Sequence, residues 1–433
     1  MTATPYGQAW ALYRGATAML ELGAPAFLRW RLQRGKEDAV RLPERLGIAA
    51  VPRPHGRLVW LHGASVGEGL ALLPLVERLQ ARGLAVLMTT GTVTSATLLA
   101  QRLPSGALHQ FVPLDGPRAA RRFLDHWRPD LVLFAESELW PNLLSEARRR
   151  GIPVALVNAR MSVRSFARWR RLPVLARPLL GGLDLILAQS QADAERYAAL
   201  RRGPVTSTGN LKYDAAPPPA DPAALAALRS TVAGRPVWVA ASTHAGEDLE
   251  CCAVHAALKA SMPSLLTIIV PRRVDRGPVL LAEAARLGLT AGARSQGSGI
   301  EAATDIHVAD TMGELGLFYR LGTAVFVGKS LVISGGGQNP IEPAKLGNAI
   351  LHGPNVGNFT DVYAALDASR GGRTVADAAA LTDALLMLLR APDACQSAAD
   401  AARQAVDSAA GAADRTMAAL DRLLPTHAVA PSG

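Results

Sequence analysis

Acidic, amide and basic side chains recur directly after apolar, strand-like segments in the first half of this 433-residue sequence. A carboxylate in such a position can be catalytic. Taken alone, each of these residues is an ordinary loop residue. A single glutamate at a helix start is also explained by its favourable interaction with the helix dipole, without any catalytic role. Their recurrence predicts a shared site formed by Glu68, Glu136, Glu138, Asn158, Arg160 and Lys212.

A second stretch that could bind a ligand spans residues 325–359. An apolar run ends in Gly328, and three glycines at 335–337 precede Asn339 and Glu342. Because a glycine loop entering a helix can offer backbone N–H groups to an anion, the stretch indicates a nucleotide site. A plain glycine-rich connection, with Glu342 serving the helix dipole, fits the same spacing. The pattern matches neither a Walker loop nor the dinucleotide fingerprint.

The elements that must position these residues alternate between strand and helix patterns. Such alternation builds a parallel, doubly wound α/β sheet, whose ligands gather at the carboxyl ends of the strands. The proline-rich residues 215–222 predict a stiff linker, after which the alternation restarts. Strands are predicted near residues 57–61, 85–88, 111–113, 131–134, 154–157, 185–188 and 205–206 before the linker, and near 237–240, 265–270, 306–308 and 325–327 after it.

The charge of the chain predicts an anionic partner. A net charge of +10 and a pI near 10 suit nucleic acid, anionic lipid or a phosphorylated substrate. Residues 148–177 contain nine arginines, no acidic residue, and several aromatic and aliphatic side chains. This mixture favours membrane headgroups over RNA, because no RNA-binding signature accompanies it. The three cysteines lack metal-ligand spacing, which predicts no metal site and a reducing cytoplasm.

Residues 6–33 predict a membrane-associated helix. Their apolar stretch, 15–28, is interrupted by Glu21 and Pro25. It is shorter than the roughly 20 residues that span a bilayer, and it lacks a signal-peptide cleavage pattern. Arginines and aromatic residues flank it, as is typical of a membrane interface. We therefore expect a helix that lies on or dips into the cytoplasmic leaflet, with a spanning anchor as the alternative.

Eight strand-end motifs together resemble one family, the 3-deoxy-D-manno-octulosonic acid (Kdo) transferases of lipopolysaccharide synthesis. The resemblance covers about residues 35–365, and the motifs occur in the family's order. Two positions depart from it, since Gln338 stands where many members have His and Lys329 where many have a second Gly. The motifs are WLHGASVGE (60–68), ESELWPN (136–142), NARMS (158–162), GNLKYD (209–214), ASTHAGE (241–247), PRR (271–273), DTMGEL (310–315) and GGQNPIEPA (336–344).

The resemblance implies a GT-B fold, in which two Rossmann-like domains face each other across a cleft. It implies a membrane-associating segment at 1–50, an acceptor domain at 51–214, the linker at 215–222, and a CMP-Kdo-binding domain with a helical tail at 223–425. The implied reaction is inverting transfer of Kdo from CMP-Kdo to the lipid A precursor, lipid IVA. The family works without a metal or other cofactor and without nucleic acid, on the anionic cytoplasmic face of the inner membrane.

The family's site residues carry over onto matching positions. Glu68 matches the general base, and Glu138 and Lys212 would stabilise the transition state. The implied acceptor contacts are Ser65, Gly67, Asn158 and Arg160. The implied donor contacts are Ser242, Thr243, Glu247, Pro271, Arg272, Met312, Gly313, Glu314, Leu315, Asn339 and Glu342.

Two other functions fit the same residues. A different GT-B enzyme would use another nucleotide sugar. A basic peripheral membrane protein would keep the Rossmann halves as structure only, and Glu68 would then be dispensable. The sequence does not determine how many Kdo residues are added or the oligomeric state.

Overall fold

A computed structural model describes residues 8–232, 234–332 and 335–424. The chain divides into two units. Unit 1 contains the described residues up to Ala215 and those from Ala410 onward, and unit 2 is Ala216–Ala409. The boundary lies inside the proline-rich segment expected to be a linker. Residues 1–7 of the expected membrane segment, 333–334 of the glycine stretch and 425 of the expected second domain lie outside the described residues.

Unit 1 alternates strands and helices. Two short 3-10 helices, Leu42–Leu46 and Leu211–Tyr213, lie before the first strand and after the last. The other elements are α1 (Gln8–Leu22), α2 (Ala24–Gln33), β1 (Leu58–His62), α3 (Val66–Ala81), β2 (Ala85–Thr90), α4 (Val93–Arg102), β3 (Leu108–Phe111), α5 (Pro117–Trp127), β4 (Leu131–Ala135), α6 (Pro141–Arg149), β5 (Val154–Ala159), α7 (Val163–Arg170), α8 (Pro173–Gly181), β6 (Leu185–Ala188), α9 (Gln191–Arg201) and β7 (Thr206–Ser207).

The seven strands of unit 1 form one parallel sheet in the order β3-β2-β1-β4-β5-β6-β7. The central strands β1 and β4 are buried along their whole length, because helices cover both faces of the sheet. The strand order reverses between β1 and β4, and open α/β sheets bind ligands at the carboxyl end of this switch point. The chain leaving β1 leads to Glu68, and the chain leaving β4 leads to Glu136 and Glu138.

Unit 2 repeats the plan. Two short 3-10 helices are Val274–Arg276 and Arg294–Gln296. The other elements are α10 (Pro222–Thr231), β8 (Val237–Thr243), α11 (Glu247–Lys259), β9 (Leu266–Pro271), α12 (Gly277–Arg286), β10 (Ala291–Ala293), β11 (Ile306–Val308), α13 (Leu315–Tyr319), β12 (Ala324–Val327), α14 (Ile341–Lys345), β13 (Ala349–His352), α15 (Thr360–Ala368), β14 (Gly372–Thr374), α16 (Ala378–Arg390) and α17 (Pro392–Ser408).

The sheet of unit 2 is also parallel and has the order β10-β11-β9-β8-β12-β13-β14. Its switch point lies between β8 and β12, which lead to the expected donor segments at 242–247 and 328–342. Three of its strands, β10, β13 and β14, are absent from the sequence prediction. The α/β expectation is confirmed for both units.

The last helix, α18 (Ala412–Leu420), belongs to unit 1. Asp214 accepts hydrogen bonds from the N–H groups of Gly411 and Ala413, both at 2.6 Å, and so holds the start of this helix. Met417 and Leu420 are buried in the core of unit 1 beside α3. The sequence prediction assigned the whole tail to the second domain, so the structure differs from it from residue 410 onward.

The expected N-terminal helix is two helices. α1 ends at Leu22, and α2 begins at Ala24 with Pro25 in its first turn, where a proline without an N–H is tolerated. Within the described residues, no helix combines the length and the apolar character needed to cross a bilayer.

Candidate active site

Glu68 lies in the first turn of α3, directly after β1. Its carboxylate accepts hydrogen bonds from the backbone N–H of Ala64 at 2.7 Å and from the hydroxyl of Ser65 at 2.8 Å. Ser65 is the N-cap of the helix and accepts in turn from the N–H of Glu68. The same side chain therefore stabilises the helix start and is held in one orientation at the edge of the sheet.

The surroundings of Glu68 favour its protonated form. Burial raises the pKa of this carboxyl above the ordinary value, and the negative charges of Glu136 and Glu138 raise it further. The hydrogen bonds from Ser65 and Ala64 act in the opposite direction without cancelling the rise. A carboxylate with a raised pKa binds a proton more strongly, which is what a general base requires.

Glu136 and Lys212 form an ion pair in which Nζ lies 2.6 Å from Oε1, and both side chains are largely buried. Lys212 is held in the 3-10 helix Leu211–Tyr213, whose N-cap is Asn210. The amide oxygen of Asn158 accepts from the N–H of Leu211 at 3.0 Å. The cation is thus positioned beside a carboxylate that contributes to the raised pKa of Glu68.

Glu138 accepts a hydrogen bond from the indole N–H of Trp140 at 2.8 Å, and His62 Nε2 lies 3.5 Å from the same carboxylate oxygen. His62 is fully buried, its Nδ1 lies 3.0 Å from the hydroxyl of Thr89, and its ring packs edge-on against Trp140. Sequence reasoning gave His62 no role. The available signal was a polar residue closing an otherwise apolar strand.

The four expected acceptor contacts lie near this edge but differ in accessibility. Ser65 and Gly67 are exposed at the start of α3, and Arg160 is half-buried after β5. Asn158 differs from the expectation, because its side chain is buried and bonds to the backbone of Leu211. In this structure it positions the Lys212 segment.

In unit 2, the carboxyl ends of β8, β9 and β12 are in close contact. The N–H of Arg272 donates to the carbonyl of Thr243 at 2.9 Å. A Cβ on Gly328 would lie 2.7 Å from the carbonyl oxygen of Ser242, so only glycine permits this approach. Pro271 and Thr243 are buried and Ser242 is half-buried, whereas the side chain of Arg272 is exposed.

Glu247 was expected to contact the donor, and the structure gives it a different set of partners. Glu247 is only 2 % exposed. The two carboxylate oxygens accept from the backbone N–H groups of Lys329, Ser330 and Leu331 at 2.6–2.7 Å, and from that of His244 at 3.1 Å. Glu247 therefore ties the start of α11 to the loop that follows β12.

The glycine loop was expected to expose its N–H groups to an anion, and this expectation is wrong for residues 335–338. The N–H groups of Gly336 and Gly337 both donate to the carbonyl of Lys329 at 2.9 Å, and that of Gln338 donates to Gly328 at 3.0 Å. The N–H of Gly335 donates to Val332. The loop is folded back on itself, and the glycines serve its close packing.

Asn339 and Glu342 follow this loop: Asn339 lies just before α14, and Glu342 lies in its first turn. The Asn339 amide donates to the Glu342 carboxylate at 3.1 Å, and its oxygen accepts from the N–H of Ile341 at 3.1 Å. Both side chains are half-buried. The predicted pair therefore exists, although α14 has only five residues and its dipole is correspondingly small.

The remaining expected donor residues form the turn before α13. Arg294 donates two hydrogen bonds to Glu314, and the hydroxyl of Thr311 donates a third. The bond from Arg294 is the main reason that the pKa of Glu314 is lowered. Gly313 has a φ of 87°, and the side chain of Met312 is exposed. Leu315 is half-buried at the first position of the helix.

Backbone strain is concentrated at these edges. Seven non-glycine residues of the described chain have φ in the left-handed region, which is rarely populated and costs about 1–3 kcal/mol. Four of the seven lie at or just after strand ends in the two candidate sites: Glu136, Asn158, Ser242 and Lys329.

Among the residues that the structure describes, no group of three or more His, Cys, Asp or Glu side chains is placed to hold a metal ion.

Two Rossmann-like units in one chain are the architecture of the GT-B fold, which many glycosyltransferases use. In fold the chain is similar to a glycosyltransferase of Rickettsia africae, with a TM-score of 0.58 over 86 % of this chain and 100 % of that one, at 12 % identity. Residues 40–215 match the family model of 3-deoxy-D-manno-octulosonic-acid transferase (kdotransferase).

Two full-length relatives extend the match. The 3-deoxy-D-manno-octulosonic acid transferase of Bordetella pertussis is 37 % identical over 378 residues, 84 % of this chain and 87 % of the relative. The probable mitochondrial 3-deoxy-D-manno-octulosonic acid transferase of Arabidopsis thaliana is 36 % identical over 366 residues, 82 % of each chain. The chain belongs to the Kdo transferase family.

Proposed function

We propose that this protein transfers Kdo from CMP-Kdo to the lipid A precursor lipid IVA, with inversion and without a metal, at the cytoplasmic face of the inner membrane. The observation that carries the proposal is the carboxylate cluster of unit 1. Glu68 is held by two hydrogen bonds at the switch point of the sheet, and its pKa is raised by burial, Glu136 and Glu138. Family membership supplies the donor and the acceptor.

The chemistry follows from the side chains. A hydroxyl oxygen of the acceptor attacks the anomeric carbon of Kdo, and its proton passes to Glu68. The bond between that carbon and the CMP phosphate oxygen breaks, and CMP leaves with the bonding electrons. The sugar passes through an oxocarbenium-like transition state, whose positive charge the carboxylate of Glu138 stabilises. Lys212 balances the carboxylate of Kdo or the departing phosphate.

Arg272 is proposed to bind the phosphate of the donor, because its exposed guanidinium follows β9 at the edge of unit 2. Arg272→Ala is expected to raise the KM for CMP-Kdo by about 10–100-fold, since a hydrogen bond to a charged group contributes about 1.5–3 kcal/mol. The kcat should change little. Arg273→Ala is the matched control, because Arg273 is also exposed but pairs with Asp275. Equal KM values for the two variants would contradict this role.

The outer face of α1 supports the membrane location. Its inner face buries Trp10 and carries polar side chains: Tyr13 donates to Asp115, Thr17 accepts from Asn142, and Glu21 accepts from the first N–H groups of α5. Its outer face carries exposed Leu12, Met19, Leu20 and Leu22. This polarity is the reverse of that of a helix on a water-soluble surface, and it suits a helix lying at a membrane interface.

Other helices of unit 1 also carry exposed apolar residues. Phe27 and Trp30 of α2 are exposed, and α1 contacts α8, near which Val163, Leu172 and Val174 are exposed. Basic side chains surround these residues, and the guanidinium of Arg34 lies 3.9 Å from the centre of the Trp30 ring. Exposed arginines of α7 and α8 add cationic charge, which anionic headgroups attract; they are Arg164, Arg168, Arg170, Arg171 and Arg177.

Replacing two side chains of this face tests the membrane location. Met19 and Leu20 are 71 % and 74 % exposed. Met19→Ser/Leu20→Ser is expected to lower partitioning onto phosphatidylglycerol vesicles at least tenfold, because burying such a side chain contributes about 1.5–3 kcal/mol. Cosedimentation measures it. Met387→Ser is the control, since Met387 is exposed on unit 2. Wild-type partitioning by the double variant would refute the assignment of α1 to the membrane.

The direct test of the function is transfer from CMP-Kdo, generated in situ, to purified tetraacylated lipid A precursor. Mass spectrometry is expected to show a product heavier by at least one Kdo, and the number of additions follows from the same spectrum. Binding of CMP without any product would overturn the choice of sugar or acceptor and leave the fold class intact.

A further inference from the structure

One buried side chain of unit 1 connects the segment before β1 to the two loops that follow β2 and β3. Arg45 is 5 % exposed and lies in the 3-10 helix Leu42–Leu46. Its guanidinium donates to the carbonyl of Gly91 at 2.5 Å and to that of Val112 at 3.2 Å. Its own carbonyl accepts from the N–H of Leu114 at 2.8 Å. Gly91 follows β2, and Val112 and Leu114 follow β3.

The Gly91 contact leads to Glu68 through backbone groups. The N–H of Gly91 donates to the carbonyl of Ala64 at 3.0 Å, and the N–H of Ala64 donates to the Glu68 carboxylate at 2.7 Å. A Cβ on Gly91 would lie 3.0 Å from the carbonyl oxygen of Ala64, so the two loops are in close contact. The peptide groups of Ala64 are thereby held between Gly91 and Glu68.

The burial of this cation is offset by specific partners. Nε of Arg45 donates to the buried carboxylate of Glu37 at 2.8 Å, and the guanidinium lies 4.6 Å from the centre of the Phe111 ring. Burial nevertheless lowers the pKa of Arg45. A buried ion pair is rarely a net source of stability, and its attested use is to specify one geometry. The geometry that this pair specifies is that of the loops next to Glu68.

We propose that Arg45 is a positioning residue for the reaction: by fixing Gly91, and through it Ala64, it fixes the orientation of the Glu68 carboxylate. The proposal rests on the proposed function of Glu68 as the general base. Arg45 acts through the loops that it holds and not on the reacting atoms, and its effect is expected in the rate of the chemical step.

The chain contains a matched control for Arg45. Arg41 lies on the same Phe111 ring at 4.6 Å and pairs with another buried carboxylate, Glu44. Its guanidinium also bonds to the ring and the carbonyl of His109, within β3. Arg41 therefore shares the ion pair and the ring contact of Arg45, although its side chain is 28 % exposed against 6 % for Arg45, and none of its bonds within the described residues reaches the loops after β1 and β2.

The test compares Arg45→Lys with Arg41→Lys in the full-length protein. Lysine keeps the charge opposite the glutamate but replaces with one nitrogen the three separate nitrogens that bond to Glu37, Val112 and Gly91. Arg45→Lys is expected to lower kcat about tenfold or more, because small displacements of a catalytic group reduce the rate by up to about 10²-fold. The KM for CMP-Kdo should stay within about twofold, and Arg41→Lys should retain the wild-type kcat. Hydrogen exchange without substrates should quicken at residues 62–69 and 90–92 in Arg45→Lys only.

A second variant covers a failure of Arg45→Lys to fold. Glu37→Gln/Arg45→Met removes both charges of the pair, and it should show the same loss of kcat. Arg31, the second partner of Glu37, is half-buried and keeps its bond to the carbonyl of Lys36. A folded variant of either kind with wild-type kcat and wild-type exchange would overturn the role of Arg45. The role of Glu68 as the base is tested separately, by the kcat of Glu68→Gln. If Glu68→Gln turns over normally, the base assignment fails and the Arg45 proposal fails with it.

Discussion

Replacing Glu68 with glutamine is expected to lower the transfer rate by about 10²–10⁴-fold, the usual contribution of a general base. Glutamine keeps the size of the side chain and can still accept one hydrogen bond at the start of α3. Binding of CMP-Kdo should be unchanged, because the expected donor residues lie in unit 2. Single-turnover kinetics and calorimetric titration with CMP measure the two effects. Normal turnover by this variant would refute the base assignment.

The pH dependence of the wild-type enzyme provides a second measurement on Glu68. The base acts when deprotonated, so the rate rises with pH through its pKa. Because burial, Glu136 and Glu138 raise that pKa above the ordinary 4.5, the acid limb of kcat should lie above this value. An acid limb at or below 4.5 would contradict the described surroundings of Glu68.

The same shift determines the sign of the effect on stability. A carboxyl whose pKa is higher in the folded state favours folding while it is protonated, and this contribution is lost as the pH rises from the unfolded to the folded pKa. Glu68→Gln cannot ionise and avoids that loss. Its Tm at neutral pH should therefore be at least as high as that of the wild type. An inactive variant with a much lower Tm would instead indicate misfolding.

Replacing Lys212 with methionine is expected to lower the rate by about 10²–10³-fold, the range found when one transition-state donor is removed. It should also move the acid limb to higher pH. Lys212 lies 2.6 Å from Glu136, whose charge already raises the pKa of Glu68. Without the ammonium group, that charge acts on Glu68 unbalanced, so less Glu68 is ionised at a given pH. A pH profile of kcat measures both changes.

The double variant Glu136→Gln/Lys212→Met separates the two roles of Lys212. It removes the unbalanced carboxylate along with the cation, so the acid limb should return toward the wild-type position. The loss of rate should persist if Lys212 stabilises the transition state. Recovery of the full rate would mean that Lys212 serves only to neutralise Glu136.

The sequence predicted the strand-end positions of the site better than it predicted their contacts. Glu68, Glu136 and Glu138 follow β1 and β4, which are long, apolar and easily recognised. Strands β10 and β14 read AGA and GRT and lack the apolar run that identified β11, a strand of the same length. Strand β13 is apolar but lies inside the stretch 325–359, which was interpreted as a binding segment. Alternation along the chain also carries no information about which sheet the last helix joins.

The contacts that the sequence did not reveal depend on distant residues or on unusual backbone conformation. Arg45 reaches Gly91 across 46 positions, and His62 reaches Thr89 across 27. Glu136 adopts a φ of 52°, which nothing in its residue type predicts. The hydrogen bonds of the N–H groups at 336–338 likewise depend on where the chain places the carbonyls of Gly328 and Lys329.

The return of α18 to unit 1 affects the order in which the protein can be assembled during synthesis. Unit 2 is one continuous segment, whereas unit 1 needs residues from both sides of it. Met417 and Leu420 complete the core beside α3. When α3 emerges from the ribosome, these two core residues have not yet been synthesised. Domains made first usually fold first. In this chain the second unit is complete while the first still exposes the apolar surface of α3, and that unit closes only after residue 420 has been made.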